Sequence, residues 1–126
     1  MTRKKILSGF LLGSMAALTT GCAGTSELLG LKVDIGPGDA FFPKTISGVP
    51  GSTIEWTNKD PDPHTVTVDV MSGGPTSPTL NNGDTYKWTI PLNASGKKFY
   101  YHCQFHGTAG NGNGFGTGMV GVVLVQ

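Results

Sequence analysis

The sequence has little charge, few cysteines and no apolar run long enough for an ordinary membrane-spanning helix. Only 13% of its 126 residues are charged, and two are cysteines. The charges are scattered, with no basic stripe, which excludes the electrostatic footprint of a nucleic-acid-binding protein. The length predicts one domain with a modest single core.

The longest apolar run lies at the N-terminus and predicts export. Residues 6–18, ILSGFLLGSMAAL, follow basic residues at 3–5 and precede TTGC, which ends at Cys22. This order predicts a signal peptide over 1–21. TTGC resembles a bacterial lipobox, in which the cysteine is lipidated, whereas an ordinary secretory signal is the alternative. No Arg-Arg pair occurs, which favours export unfolded and cofactor loading outside. We expect a periplasmic or cell-surface protein held on a membrane by lipid.

The mature chain is then predicted to contain a tether over 22–30 and one domain over 31–126. Removing the three basic residues of the signal changes the formal net charge from +1 to about −2. Lipid on Cys22 would leave Cys103 without a partner, which excludes a disulfide within the chain. A lone thiol outside the cytoplasm is a liability unless it is buried or bound.

Short alternating segments separated by Gly, Pro, Asn and Asp predict an all-β fold. No run with helical periodicity and useful length occurs. Such spacing is typical of a β-sandwich or barrel of about seven to eight strands. The segments with strand character are 31–35, 53–58, 65–70, 85–90, 98–103 and 119–126.

Two of the three histidines flank a cysteine in YHCQFH, residues 101–106. Alternation along the preceding strand directs Cys103 into the core and His102 outward. The strand should end beyond Cys103, and a turn there would bring His106 back beside the thiol. His64 lies in the proline-rich segment KDPDPH before another strand, and such connections collect at the ends of a sandwich.

One cysteine and two histidines form the trigonal ligand set that binds copper in electron-transfer sites, together with a weak axial methionine. Met119 opens the last strand and adjoins the same loop. We therefore predict one copper ion per chain, bound by His64, Cys103 and His106 with Met119 as axial ligand. Zinc is chemically possible with the same residues. The competing interpretation is a buried free thiol for Cys103 and simple core packing for Met119. For His64 it is a turn histidine that caps the backbone, and for His106 it is a surface imidazole.

The order of these motifs resembles the cupredoxin family of plastocyanin-like and azurin-like blue copper proteins. FYYHCQFH…GMVGVVLV resembles the end of a cupredoxin, and FFPKTISGVPGSTIEWTNKDPDPHTVTV resembles its upstream block with the first histidine ligand. The resemblance covers residues 31–126. It implies a Greek-key sandwich, a mononuclear type 1 copper site and one-electron transfer.

Two features depart from the family pattern. His106 and Met119 are separated by twelve residues, six of them glycine, whereas plastocyanin-like proteins have a much shorter gap. The glycines in such a loop allow many backbone conformations, so the loop is not rigid by itself. Thr65 stands where many members have Asn, which helps to tie the two ligand loops. Either change would shift the reduction potential.

We expect a monomeric electron carrier and not an enzyme, with redox proteins as donors and acceptors and no nucleic-acid partner. A copper chaperone or buffer and a metal-free structural domain with a cupredoxin-like fold are the alternatives. His102, joined to Cys103 by the backbone, is either a solvated side chain or an electron port that leads outward from the metal.

Overall fold

A computed structural model describes residues 30–70 and 73–126 of the chain. The predicted signal peptide, Cys22 and all of the predicted tether except Gly30 lie outside these residues. Within the described part the structure has no helix that could cross a membrane. The strands are β1 Leu31–Ile35, β2 Phe41–Phe42, β3 Thr45–Gly48, β4 Thr53–Asn58, β5 Thr67–Val68, β6 Thr85–Thr89, β7 Lys98–Thr108 and β8 Thr117–Val125.

The strands form two four-stranded sheets, which confirms the predicted all-β sandwich. One sheet has the order β2-β1-β4-β6 and the other the order β3-β8-β7-β5. Each sheet contains one parallel pair, β1 with β4 and β3 with β8, and its other pairs are antiparallel. The buried side chains of both sheets form one common core.

A tryptophan and a tyrosine connect the two sheets at the centre of this core. Alternation along β4 buries Trp56, and alternation along β7 buries Tyr101. The Trp56 indole N–H donates a hydrogen bond of 3.1 Å to the Tyr101 hydroxyl, and the rings meet edge to face. Burial raises the pKa of Tyr101, so the hydroxyl stays neutral. Gly121 lies opposite on β8, where a Cβ would approach the tyrosine oxygen to 2.5 Å.

The strand predicted over residues 65–70 is wrong in its length. Only Thr67 and Val68 form β5. Alternation over 65–70 predicts that Val70 lies on the same face as Val66, which is buried, but Val70 is 60% exposed. The alternation fails because the Asp69 carboxylate, not Val70, turns inward. That carboxylate accepts hydrogen bonds from His102 and from the backbone of Gly110, so its burial is compensated.

The prediction that the strand ends after Cys103 is also wrong, because β7 continues to Thr108. Its pairing with β8 is irregular between His102 and Gly107 and then resumes with Gly107 opposite Gly118. A β-bulge of this kind re-aims side chains without ending the strand pair. The bulge thus takes the place of the predicted turn and brings His106 back toward Cys103.

Candidate metal centre

Three predicted ligand atoms converge at one end of the sandwich. The Sγ of Cys103 lies 3.6 Å from the Nδ1 of His64 and 3.6 Å from the Nδ1 of His106, and the two Nδ1 atoms are 3.2 Å apart. The point equidistant from these three atoms lies about 2 Å from each, close to metal–nitrogen and metal–sulfur bond lengths. The structure therefore brings together His64, Cys103 and His106 at a spacing that one metal ion can occupy.

Exposure differs sharply among the three side chains. His64 and Cys103 are fully buried, whereas the His106 side chain is 28% exposed. The centre therefore lies below the surface, and the His106 ring is the part of it that reaches solvent.

A buried asparagine holds the loop that carries His64. Asn58 ends β4, and its side-chain amide donates to the carbonyl oxygens of Asp62 and Leu80 at 2.9 and 2.8 Å. Its side-chain oxygen accepts from the Asp60 backbone N–H. His64 and Leu80 exchange two backbone hydrogen bonds, which fixes the backbone of His64 itself.

Aspartates lie behind the imidazoles, at positions that were not among the predicted site residues. The Nε2 of His64 is 2.9 Å from Oδ2 of Asp60. Asp39 Oδ1 lies 3.7 Å from Nε2 of His64 and 3.8 Å from Nε2 of His106. The hydrogen bond from His64 lowers the pKa of Asp60 despite the opposing effect of burial. In the sequence, the four-residue spacing from Asp60 to His64 in KDPDPH was an indication that the two side chains could meet.

Thr65 connects the two ligand loops, although many cupredoxins have Asn at this position. Its hydroxyl accepts a hydrogen bond of 2.9 Å from the backbone N–H of Gln104, the residue after Cys103. Its own backbone N–H points to the Cys103 Sγ at 3.4 Å. One residue thus fixes the segment that follows Cys103 and also donates to the thiol sulfur.

We expect Thr65→Val to destabilise the metal-free protein by about 1 kcal/mol, because the Gln104 N–H loses its acceptor while side-chain volume is kept. Urea unfolding would measure the change. Thr65→Ser retains the hydroxyl and is the matched control. Equal stability of the valine and serine variants would contradict a role for this hydrogen bond.

Met119 is buried near the start of β8, and its backbone lies against Gly107, the residue after His106. A Cβ on Gly107 would lie 2.5 Å from the Met119 carbonyl oxygen and 2.9 Å from its nitrogen. The close contact ties the predicted axial ligand to the segment that carries His106. Its ligation, like that of His64, Cys103 and His106, stays a prediction.

The glycine-rich segment is compact. Strand pairing continues through Thr108 and Thr117, so the loop between β7 and β8 covers only residues 109–116. The Gly110 N–H donates to Asp69 Oδ2 at 2.8 Å. The Phe115 ring packs edge to face on Tyr100. These contacts supply the order that the glycines alone would not give.

His102 is not the solvated outward side chain that was one of its two interpretations. Its Nδ1 lies 2.8 Å from Oδ1 of Asp69, and the two side chains are 12% and 1% exposed. Because a carboxylate can only accept, Nδ1 carries the hydrogen. The pair connects the residue beside Cys103 to the glycine-rich loop through the second oxygen of Asp69.

Comparison with known proteins supports the fold. No family model and no curated protein matches the chain. A purple cupredoxin from Nitrosopumilus maritimus is 23% identical, with a TM-score of 0.58 over 76% of this chain and 99% of that chain. A reduced amicyanin is 22% identical, with a TM-score of 0.58 over 77% of this chain and 82% of that one.

A Cu-containing nitrite reductase from Thermus scotoductus SA-01 is 24% identical, with a TM-score of 0.60. The match covers 77% of this chain but only 22% of that chain. Together these likenesses show a cupredoxin fold, as the resemblance in the sequence implied.

Proposed function

We propose that this chain, with its cupredoxin fold, is a type 1 copper protein that carries one electron at a time between redox proteins. The observation that carries the proposal is the convergence of the Cys103 Sγ and the Nδ1 atoms of His64 and His106. One copper ion would be bound by these three atoms, with Met119 as the axial ligand.

The chemistry of these side chains fits copper in both oxidation states. A thiolate favours Cu(I), and imidazole accommodates both Cu(I) and Cu(II). The surrounding structure holds the ligand atoms in one arrangement, through Asn58 around His64 and Thr65 around Cys103. Copper bound there would supply a one-electron couple.

Two routes lead from the centre to other proteins. The exposed edge of His106 gives the shorter one, because its ring reaches solvent directly. His102 is proposed as a second port, since its backbone is bonded to Cys103 and its ring contacts Asp69 beneath the glycine-rich loop. On the basis of the Cys22 motif, we further propose that the chain works outside the cytoplasmic membrane and is anchored there by lipid. We also propose that it acts as a monomer.

Voltammetry of the copper-loaded chain separates a carrier from a copper chaperone. A carrier should show a reversible one-electron couple and keep its copper through repeated cycles. It should also retain Cu(I) when challenged with a Cu(I) chelator at moderate concentration. A chaperone should prefer Cu(I) and exchange it, so loss of copper on oxidation, or release of Cu(I) to the chelator, would favour the chaperone. Failure to bind copper would favour the metal-free structural domain or a zinc site.

A further inference from the structure

We propose that Asp60, assisted by Asp39, is a positioning residue that fixes the ring of His64 and favours the oxidised state of the centre. The part concerning oxidation state rests on the proposed function, whereas the part concerning the ring does not require a metal.

Hydrogen bonds and close packing fix the position of Asp60. Its backbone N–H donates to the Asn58 side chain, and its carbonyl oxygen accepts from the Asn82 amide at 2.9 Å. The Asp39 N–H points to its Oδ2 at 3.3 Å. Gly36 packs so closely that a Cβ there would lie 2.6 Å from Oδ1. The Asp60 side chain, only 8% exposed, is therefore fixed in place.

This carboxylate determines the tautomer of His64, and therefore which ring nitrogen directs a free lone pair toward the centre. An ionised carboxylate can only accept hydrogen bonds, so the Nε2 at 2.9 Å must carry the hydrogen. In the neutral ring Nδ1 is then unprotonated, and Nδ1 is the atom that lies 3.6 Å from the Cys103 sulfur. Asp60 thus prepares His64 to bind through Nδ1 before any metal arrives.

The charge of the carboxylate has a second effect. A carboxyl group is ordinarily ionised at neutral pH, and hydrogen bonds from His64 and from the Asp39 backbone favour the charged form of Asp60. An outer carboxylate raises the basicity of a histidine ligand. A nearby anion also stabilises a doubly charged ion more than a singly charged one. Asp60 should therefore lower the reduction potential.

Asp39 adds a weaker contribution of the same sign and offers a second variant. Its backbone has φ of 56°, a conformation in which Asn and Asp are tolerated better than other non-glycine residues. Its carboxylate lies near the Nε2 atoms of both imidazoles, at 3.7 and 3.8 Å. Asp39→Asn removes this charge without forcing the turn into another conformation.

The test compares Asp60→Asn with wild type in the full chain loaded with copper. We expect a 10–100-fold loss of Cu(II) affinity, the usual effect of removing an outer partner of a metal-binding histidine. The Cu(I) affinity should fall less, and each tenfold difference between the two losses raises the potential by about 59 mV. Asp39→Asn should shift the potential in the same direction by a smaller amount.

Asp34→Asn is the matched control, because it removes an exposed charge of the same sign that pairs with Lys59 and belongs to none of the side-chain clusters around the imidazoles. Suppose that the wild type has a type 1 spectrum. The redox part would then be overturned if the reduction potential of Asp60→Asn were no higher than that of Asp34→Asn. If Asp60→Asn does not fold, Asp39→Asn decides the redox part against the same control.

A measurement on the metal-free chain separates failure of this inference from failure of the proposed function. Nitrogen-15 NMR of the His64 ring should show the Nε2–H form in wild type and a mixture of tautomers in Asp60→Ala. A wild-type His64 protonated on Nδ1 would overturn the positioning role whether or not copper binds. If wild type shows the Nε2–H form of His64 but gives no type 1 spectrum with copper, the redox part is overturned along with the proposed copper function. The positioning of the ring then stands.

Discussion

Cys103→Ser is expected to abolish the intense visible absorption of the Cu(II)-loaded protein. In the proposed site this absorption arises from charge transfer between a thiolate sulfur and copper, and a serine hydroxyl supplies no such sulfur. The Sγ of Cys103 is one of three atoms that surround the proposed metal position, and the side chain is fully buried. We also expect Cu(II) affinity to fall by more than the 10–100-fold typical of an outer partner.

An absorption spectrum and a copper titration of the variant measure both effects. His102→Asn is a suitable control, because it alters the adjacent residue and leaves the three ligand atoms unchanged. Thermal unfolding of the metal-free variants shows whether the fold persists. Retention of the full band in Cys103→Ser would remove Cys103 from the copper site.

Gly116→Ala is expected to destabilise the chain by about 1–3 kcal/mol, the usual cost of forcing extra atoms into a packed region. A Cβ on Gly116 would overlap the Thr108 carbonyl oxygen and approach the Gly110 nitrogen to 2.8 Å. Both neighbours are backbone atoms, so relief requires movement of the loop itself.

Gly114→Ala is the matched control within the same loop. A Cβ there meets nothing within 4 Å, and the backbone is not in the left-handed region. This substitution should be neutral or stabilise by up to about 1 kcal/mol, because alanine restricts the unfolded chain. Denaturant unfolding would compare the two. Equal changes in the free energy of unfolding for the two variants would show that the loop is loosely packed, which would contradict the close backbone contacts of Gly116.

Alternation and turn residues were sufficient to predict most of the sandwich. TIEWTN became β4 with Ile54 and Trp56 inside, and LKVDI became β1. These segments succeed because each has one buried face, and a period of two then determines which residues enter the core. The same reasoning brought Cys103, His64 and His106 to one end of the fold.

The errors occurred where a polar interaction between distant residues overrides the alternation. Asp69 turns inward because it meets His102 and Gly110, which follow it by 33 and 41 residues. The bulge in β7 depends on the register with β8, which local sequence does not encode. Asp39 is similarly remote from His64, so its position behind the imidazoles could not be read from the turn GPGD alone.

The most direct test of the proposed site is a visible and electron-paramagnetic-resonance spectrum of the purified chain titrated with Cu(II). A centre formed by Cys103, His64 and His106 should give an intense sulfur-to-copper band that saturates at one copper per chain. The resonance spectrum should show the narrow copper hyperfine splitting of a type 1 site. A weak band with the wide splitting of ordinary tetragonal copper would contradict the proposed centre.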